Sequence, residues 1–449
     1  MSKHGKAVPL PAEIVADAGS RTVTIELEDG VLIEVRVTRC HAQECNQFQP
    51  QKRRQMDVNT EDHKYQKAKR RVEQTSAKPP ARLFHLDNLR IYLTILVILH
   101  HSAIAYGAVG DWPIVDPAID DISPIFLTFF TAVNQSYFMS AFFLLAGYFT
   151  PRSLDRKGRA SFIKDRLIRL GIPLLLFTTI ILNINEYLYV VCFLKEPFSP
   201  IWAYSPAHLW FLQALLIFTV IYVGYRVFAD RITSRKMVQY YQNRFPPNSA
   251  LVLSIIILTV LTFVVRLRFP VGSWVAGLQL AYLVHYIFSF YVGIMARRGD
   301  WFNRLTKRQA RQWGIVSLVV IPLGLVLMSV DVLLGNEENF VKFMGGMHWQ
   351  AFGTALWETI LFIGITVFLL YFFRDRFNKA GPLLRSMARN VYTVYIIHLT
   401  LLWGMIIVFL SVNIPTILKF FIVSVITISS SFLLSALIRK APYAKRVLG

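Results

Sequence analysis

Charge is sparse in this chain, and acidic charge is sparsest: 17% of the 449 residues are charged against 54% hydrophobic, with 27 Asp and Glu beside 48 Lys and Arg. Ordinary soluble domains carry about 25% charge, so a water-facing surface along the whole chain is excluded. Cysteine is rarer still, three residues in all. Cys40 and Cys45 fall in a segment whose charge pattern assigns it to the cytosol, where thiols stay reduced, so no disulfide framework is expected. "CHAQEC" has neither zinc-site spacing nor a second ligand pair, which argues against a metal. Nothing after Met1 reads as a signal peptide, because the first long apolar run begins near Leu89; that run is expected to act as the insertion signal itself. No internal repeat of the kind that marks many secondary transporters is visible.

Long apolar runs are what the chain has instead. Crossing a bilayer requires about 20 predominantly apolar residues, and runs near 89–109, 125–149, 167–191, 207–229, 250–268, 274–296, 312–334, 350–373, 388–410 and 415–438 qualify. The expected fold is an all-α polytopic membrane protein with about ten transmembrane helices. Residues 1–80 differ in kind. "RTVTIELEDGVLIEVRV" alternates apolar and polar residues about Asp29-Gly30 and predicts a small β-hairpin. From "PQKRRQMD" to "QKAKRRVEQTSAKPPAR" the composition predicts a solvated basic linker, with attraction to anionic lipid head groups as the alternative. The expected organisation is a cytosolic extension over 1–80, a transmembrane domain over 81–442 and a cytosolic tail over 443–449.

The net charge of +21 sits mainly in short connections between apolar runs, where positive charge orients a membrane protein, so no nucleic-acid partner is needed to explain it. The first connection holds Asp111, Asp116, Asp120 and Asp121 but no Lys or Arg, whereas the second holds Arg152, Arg156, Lys157, Arg159, Lys164, Arg166 and Arg169. The third, fifth, seventh and ninth hold little beyond Lys195, Arg266, Arg268 and Lys342. This alternation predicts both termini in the cytoplasm, and an acidic outer loop that is a solvated face rather than a metal site.

Ionisable groups inside a span cost about 2.5–3.5 kcal/mol at the bilayer centre, so they face a partner or a wet cavity. Arg90 and His101 lie 11 positions apart, which at 100° per residue is about 20° past three turns, with about 16 Å of rise. They share one helix face; His100 points about 100° away and reads as structural. Arg166 and Arg169, three apart on one face, fit either a topological anchor or a phosphate site. Glu186 with Asn183 and Asn185, His208 and Trp210 at a span entry, and His398 each fit a site or ordinary packing. Glu358 requires a partner such as His or Arg.

An Arg, ten residues and then a His, following "LDNLR", resembles the first-span pattern of the integral-membrane acyltransferases that modify surface polysaccharides and other envelope glycans, acyltransferase family three. "YFMSAFFLLAGYF", "FIKDRLIRLGIP", "HLWFL" and "NVYTVYIIHLTLLW" resemble further segments of that family in the same order, over about Arg82 to Lys440. Ile91 stands where the family commonly has Gly, and residues 1–80 lie outside the pattern. Within the family the chain looks most like members that succinylate periplasmic glucans.

The resemblance implies acyl transfer from acetyl-CoA or succinyl-CoA, a substrate rather than a resident cofactor, to a hydroxyl of an envelope glycan at the inner membrane. Such chemistry needs a base, which a neutral imidazole near physiological pH can supply, and a place for the donor's phosphates. His101 is then the base or an acyl carrier, and Arg90 with Arg166 and Arg169 holds the donor. His208, Trp210, Glu186, Glu358 and His398 are acceptor or supporting candidates, and no metal is expected. Acyl-CoA, the glycan and membrane lipid are the expected partners. A transporter or flippase of acylated glycan or lipid, and a scaffold or sensor recruiting through residues 1–80, are the competing readings.

Overall fold

The computed structural model describes residues 22–26, 32–36, 83–200, 205–232, 244–333 and 337–448. The chain divides into two units, 1–81 and 82–449. In the first, β1 (Thr22–Glu26) pairs antiparallel with β2 (Leu32–Arg36), Val23 opposite Val35 and Ile25 opposite Ile33. This pairing is the register of the expected hairpin. The basic linker, Cys40 and Cys45 lie outside the described residues.

Among the described residues, the second unit holds ten helices long and apolar enough to cross a membrane: α1 (Phe84–Ala105), α2 (Ile122–Lys157), α3 (Arg159–Val191), α4 (Ala207–Ala229), α5 (Asn248–Arg268), α6 (Leu280–Gly299), α7 (Lys307–Ser329), α8 (Trp349–Arg376), α9 (Pro382–Phe409) and α10 (Thr416–Ile438). It is a multi-pass membrane protein. Leu253, Ile256 and Leu261 of α5 and Leu318, Val319 and Val326 of α7 are exposed, an outward apolar face suited to lipid and costly in water. α1 is central, packed by α2, α8, α9 and α10, with Leu86, Leu93, Ile98 and Ala103 fully buried. The helix that carries Arg90 and His101 therefore makes the core of the bundle, and both side chains are positioned by its neighbours.

α2 and α6 cross closely. A Cβ on Gly147 would run into the carbonyl of Phe290, and one on Gly293 into the carbonyl of Leu144. Only glycine lets the two backbones approach so near, as small residues do where membrane helices pack.

Several ends differ from the sequence reading. α2 continues past 149 through "RSLDRK", and α3 starts at Arg159 rather than 167, the break being Gly158 at φ +75. The charged turns stay helical because they pair: Lys157 Nζ lies 2.7 Å from Asp165 Oδ2, and Arg226 Nη2 lies 3.2 Å from Asp155 Oδ1. The sixth helix starts at 280 rather than 274, because Trp274–Val275 and Leu278–Gln279 form a two-residue antiparallel ladder. Its turn residues Ala276 and Gly277 have φ of 49 and 74, the left-handed pair of a tight hairpin.

Candidate functional site

His101 lies one turn from the C-terminal end of α1 and is only half-buried. Its Nδ1 is 3.0 Å from Nε2 of His398 in α9. His398 is fully buried, and its Nδ1 sits 2.8 Å from the carbonyl oxygen of Tyr395, one turn back on the same helix. His208 approaches from a 3-10 turn that opens α4. Its ring meets His398 edge-on with centroids 4.9 Å apart, its Nε2 is 3.1 Å from the carbonyl of Ile396, and its own carbonyl accepts from the Tyr395 hydroxyl. Three histidines from three helices thus converge at one end of α1. His100 is elsewhere, buried and stacked on Phe138 with centroids 4.9 Å apart, as its offset on the helix predicts.

The connection between α1 and α2 closes over this cluster. Trp112 stacks on the His101 imidazole, centroids 4.9 Å apart at 26°, and Ile114 is buried beneath the loop. Asp116 Oδ2 is 2.7 Å from Lys419 Nζ of α10, with both side chains nearly buried. The expectation of a solvated acidic face is corrected at Asp116 alone, since Asp111, Asp120 and Asp121 are exposed. Asp116 belongs to an ion pair, and Asp120 accepts from the backbone N–H groups of Ile122 and Ser123 at 3.1 and 2.7 Å, capping the start of α2. Hydrogen bonds to the charged form, chiefly from Ser123, hold the Asp120 carboxyl below its ordinary pKa. Asp111 and Asp121 are exposed.

Near the other end of α1 the predicted cations assemble. The Arg90 guanidinium lies over the Phe149 ring at 4.3 Å, with Nη1 3.7 Å from Asp87 Oδ1. Arg166 lies over Phe162 at 4.9 Å, and Arg169 Nε is 3.2 Å from Asp165 Oδ1. Arg166 is within reach of the like charges of both Arg169 and Arg90. Tyr392 of α9 donates its hydroxyl proton to the Arg169 carbonyl and ties α3 in place. Lys157 joins the group through Asp165; four cations then face two carboxylates, a surplus that attracts anions.

Glu358 has its partner, and it is a surprise. Arg266, counted from the sequence among the residues of a connection, lies in the last turn of α5, completely buried, with Nη2 2.6 Å from Glu358 Oε2. Its guanidinium also lies 5.0 Å from the Tyr282 ring centroid. Tyr282 and Tyr286 stack with centroids 6.4 Å apart, and Tyr286 stacks on Trp210 at 5.2 Å. Trp210 is thus packed into an aromatic row. Asn185 donates to the Thr400 hydroxyl at 3.1 Å, Asn183 to the Thr179 carbonyl at 3.2 Å, and Glu186 is half-buried on the same helix.

Trp112, Tyr395, Arg266 and Lys419 were not singled out by sequence. For Lys419 there was a signal, a lone lysine in "TILKFF" opposite an aspartate-rich loop. Trp112 gave none, because loop closure alone brings it to His101. Among the described residues no group of three or more His, Cys, Asp or Glu side chains is arranged to hold a metal ion.

A family model described as an acyltransferase domain matches residues 84–436. Glucans biosynthesis protein C of Salmonella paratyphi B (strain ATCC BAA-1250 / SPB7) is 28% identical over 162 residues, 33% of this chain and 40% of that protein. The protein of the same name from Salmonella schwarzengrund (strain CVM19633) is 29% identical over 162 residues, with the same 33% and 40% coverage. The match therefore spans about two-fifths of the length of these curated relatives. No solved structure matches the chain.

Proposed function

This chain belongs to that acyltransferase family, and from that premise we propose that it moves an acyl group, acetyl or succinyl, from acyl-CoA to a hydroxyl of an envelope glycan. The observation that carries the proposal is α1 itself. A cluster of guanidinium groups surrounds Arg90 near one end, and an accessible imidazole, His101, sits about 16 Å along the same face. Guanidinium groups donate several charge-assisted hydrogen bonds to phosphates and do not lose their charge. The donor's phosphates bind at Arg90, Arg166 and Arg169, and its extended thiol arm carries the thioester toward His101.

The chemistry balances without a further reactant. The acceptor oxygen attacks the thioester carbonyl carbon while its proton passes to the free nitrogen of His101. The C–S bond breaks, and the departing sulfur takes that proton. Lys and Arg enrichment orients the arginine end to the cytosol, with both termini cytoplasmic, and the His101 end faces outward, where a glycan arrives. The printed name of the relatives supports a glucan as the acceptor class; the inner membrane follows from a cytosolic donor and an envelope acceptor.

The test uses purified protein in lipid nanodiscs, radiolabelled acetyl-CoA or succinyl-CoA, a β-glucan oligosaccharide and no ion gradient. The protein transfers label; His101→Ala reduces transfer to background with donor affinity retained; Arg90→Ala weakens donor binding about tenfold or more, the loss of one charged hydrogen-bonding group. Intact transfer by His101→Ala, or movement of acylated glycan across the bilayer without transfer, overturns the proposal.

A further inference from the structure

The hydrogen bonds around His101 run in one direction. The Tyr395 carbonyl, 2.8 Å from His398 Nδ1, is only an acceptor, so that nitrogen carries the hydrogen. In a neutral imidazole the other nitrogen, Nε2, is then an acceptor, and it lies 3.0 Å from Nδ1 of His101. His101 must place its hydrogen on Nδ1, which leaves the Nε2 lone pair free. A protonated His398 would reverse this, but it would put a charge in a fully buried position. The groups acting on His398 are the backbone carbonyls of Tyr395 and Val394, so no carboxylate among them offsets that charge. His208 spends its Nε2 hydrogen on the Ile396 carbonyl at 3.1 Å and directs none toward His398. His100 stacks on Phe138, and Trp112 covers a face of the His101 ring rather than its edge.

We infer that His398 is a positioning residue that selects the His101 tautomer able to accept the acceptor hydroxyl's proton at Nε2. This rests on the acyl-transfer reading for what the proton belongs to, but the tautomer itself does not depend on it. During transfer the hydroxyl proton arrives at His101 Nε2 while the Nδ1 hydrogen remains bonded to His398. When the sulfur leaves, it takes the Nε2 proton, and the starting tautomer is restored. In serine proteases a carboxylate fills this role, and losing the correct tautomer costs about 10⁴ in kcat. A neutral imidazole offers the hydrogen bond without the negative charge, so a smaller cost, about 100-fold, is expected.

The experiment compares His398→Gln with His398→Leu in nanodiscs, with the acetyl-CoA or succinyl-CoA assay and 15N NMR of histidine-labelled protein. Gln can present an oxygen where Nε2 was; Leu has similar bulk and no acceptor. Leu lowers kcat about 100-fold with the donor KM within about threefold, whereas Gln stays within about tenfold of the parent. The parent shows His101 with a protonated Nδ1 and an unprotonated Nε2, a pattern kept in Gln and lost in Leu. Equal kcat for Gln and Leu, which a packing role would give, overturns the inference, as does a His101 signal protonated at Nε2. If the parent transfers no label from either donor, the acyl-transfer reading fails, while the nitrogen signals still decide the tautomer.

Discussion

Arg266 and Glu358 come from α5 and α8, and each would be prohibitively placed without the other. Removing one member of a buried ion pair leaves an uncompensated charge and costs about 3–5 kcal/mol, whereas replacing both by apolar residues of similar size is often neutral. Arg266→Met and Glu358→Leu are each expected to destabilise the protein by about that amount, and the double variant by less than either. Denaturation in detergent followed by tryptophan emission checks this, and a double variant no better than the worse single would contradict it. Glu358 announced its need for a cation in the sequence. Which cation could not be read there, because Arg266 lies 92 positions away and seemed to belong to a connection. His101 was legible through its helical phase with Arg90; its bond to His398 was not, since it depends on how α1 and α9 pack.

At the level of elements, the α2–α6 crossing fixes the scaffold on which α1 rests, because α2 packs against both. Gly147→Leu is expected to force the helices apart and lower stability by about 1–3 kcal/mol or more, the range for overpacking. Gly404→Ala, in the middle of α9, exposed and with nothing within 4 Å of the added carbon, serves as the comparison change that leaves the melting temperature unlowered or raises it slightly. Equal melting temperatures for the two variants would show that the crossing is not tight. All ten apolar runs were legible because length and hydropathy suffice for a membrane span. Their ends were less so: "RSLDRK" and "FIKDR" carry loop-like charge, yet ion pairs between helical turns keep them helical. The glycine crossing was hidden for a related reason, since a glycine in a span reads the same whether it faces lipid or another backbone.

Across the whole molecule, the family match begins at residue 84, and the unit that carries both ends of the candidate site begins at Arg82. Deleting residues 1–81 is expected to leave a membrane unit that folds and transfers label at a kcat within about threefold of the full chain, since no catalytic group is assigned to the deleted part. Loss of transfer in a normally folded deletion variant would instead assign the extension to the reaction. The change of composition near Pro79-Pro80 falls beside the boundary between the two units.

The stacking of Trp112 on His101 has a thermodynamic consequence. An imidazolium held 4.9 Å from an indole centroid gains cation–π attraction of about 0.5–2 kcal/mol over the neutral ring. By linkage, proton occupancy at His101 and closure of the Trp112 loop each promote the other to the same extent. Under the acyl transfer proposed above, the loop is expected to hold more tightly while His101 carries the proton than after it has left.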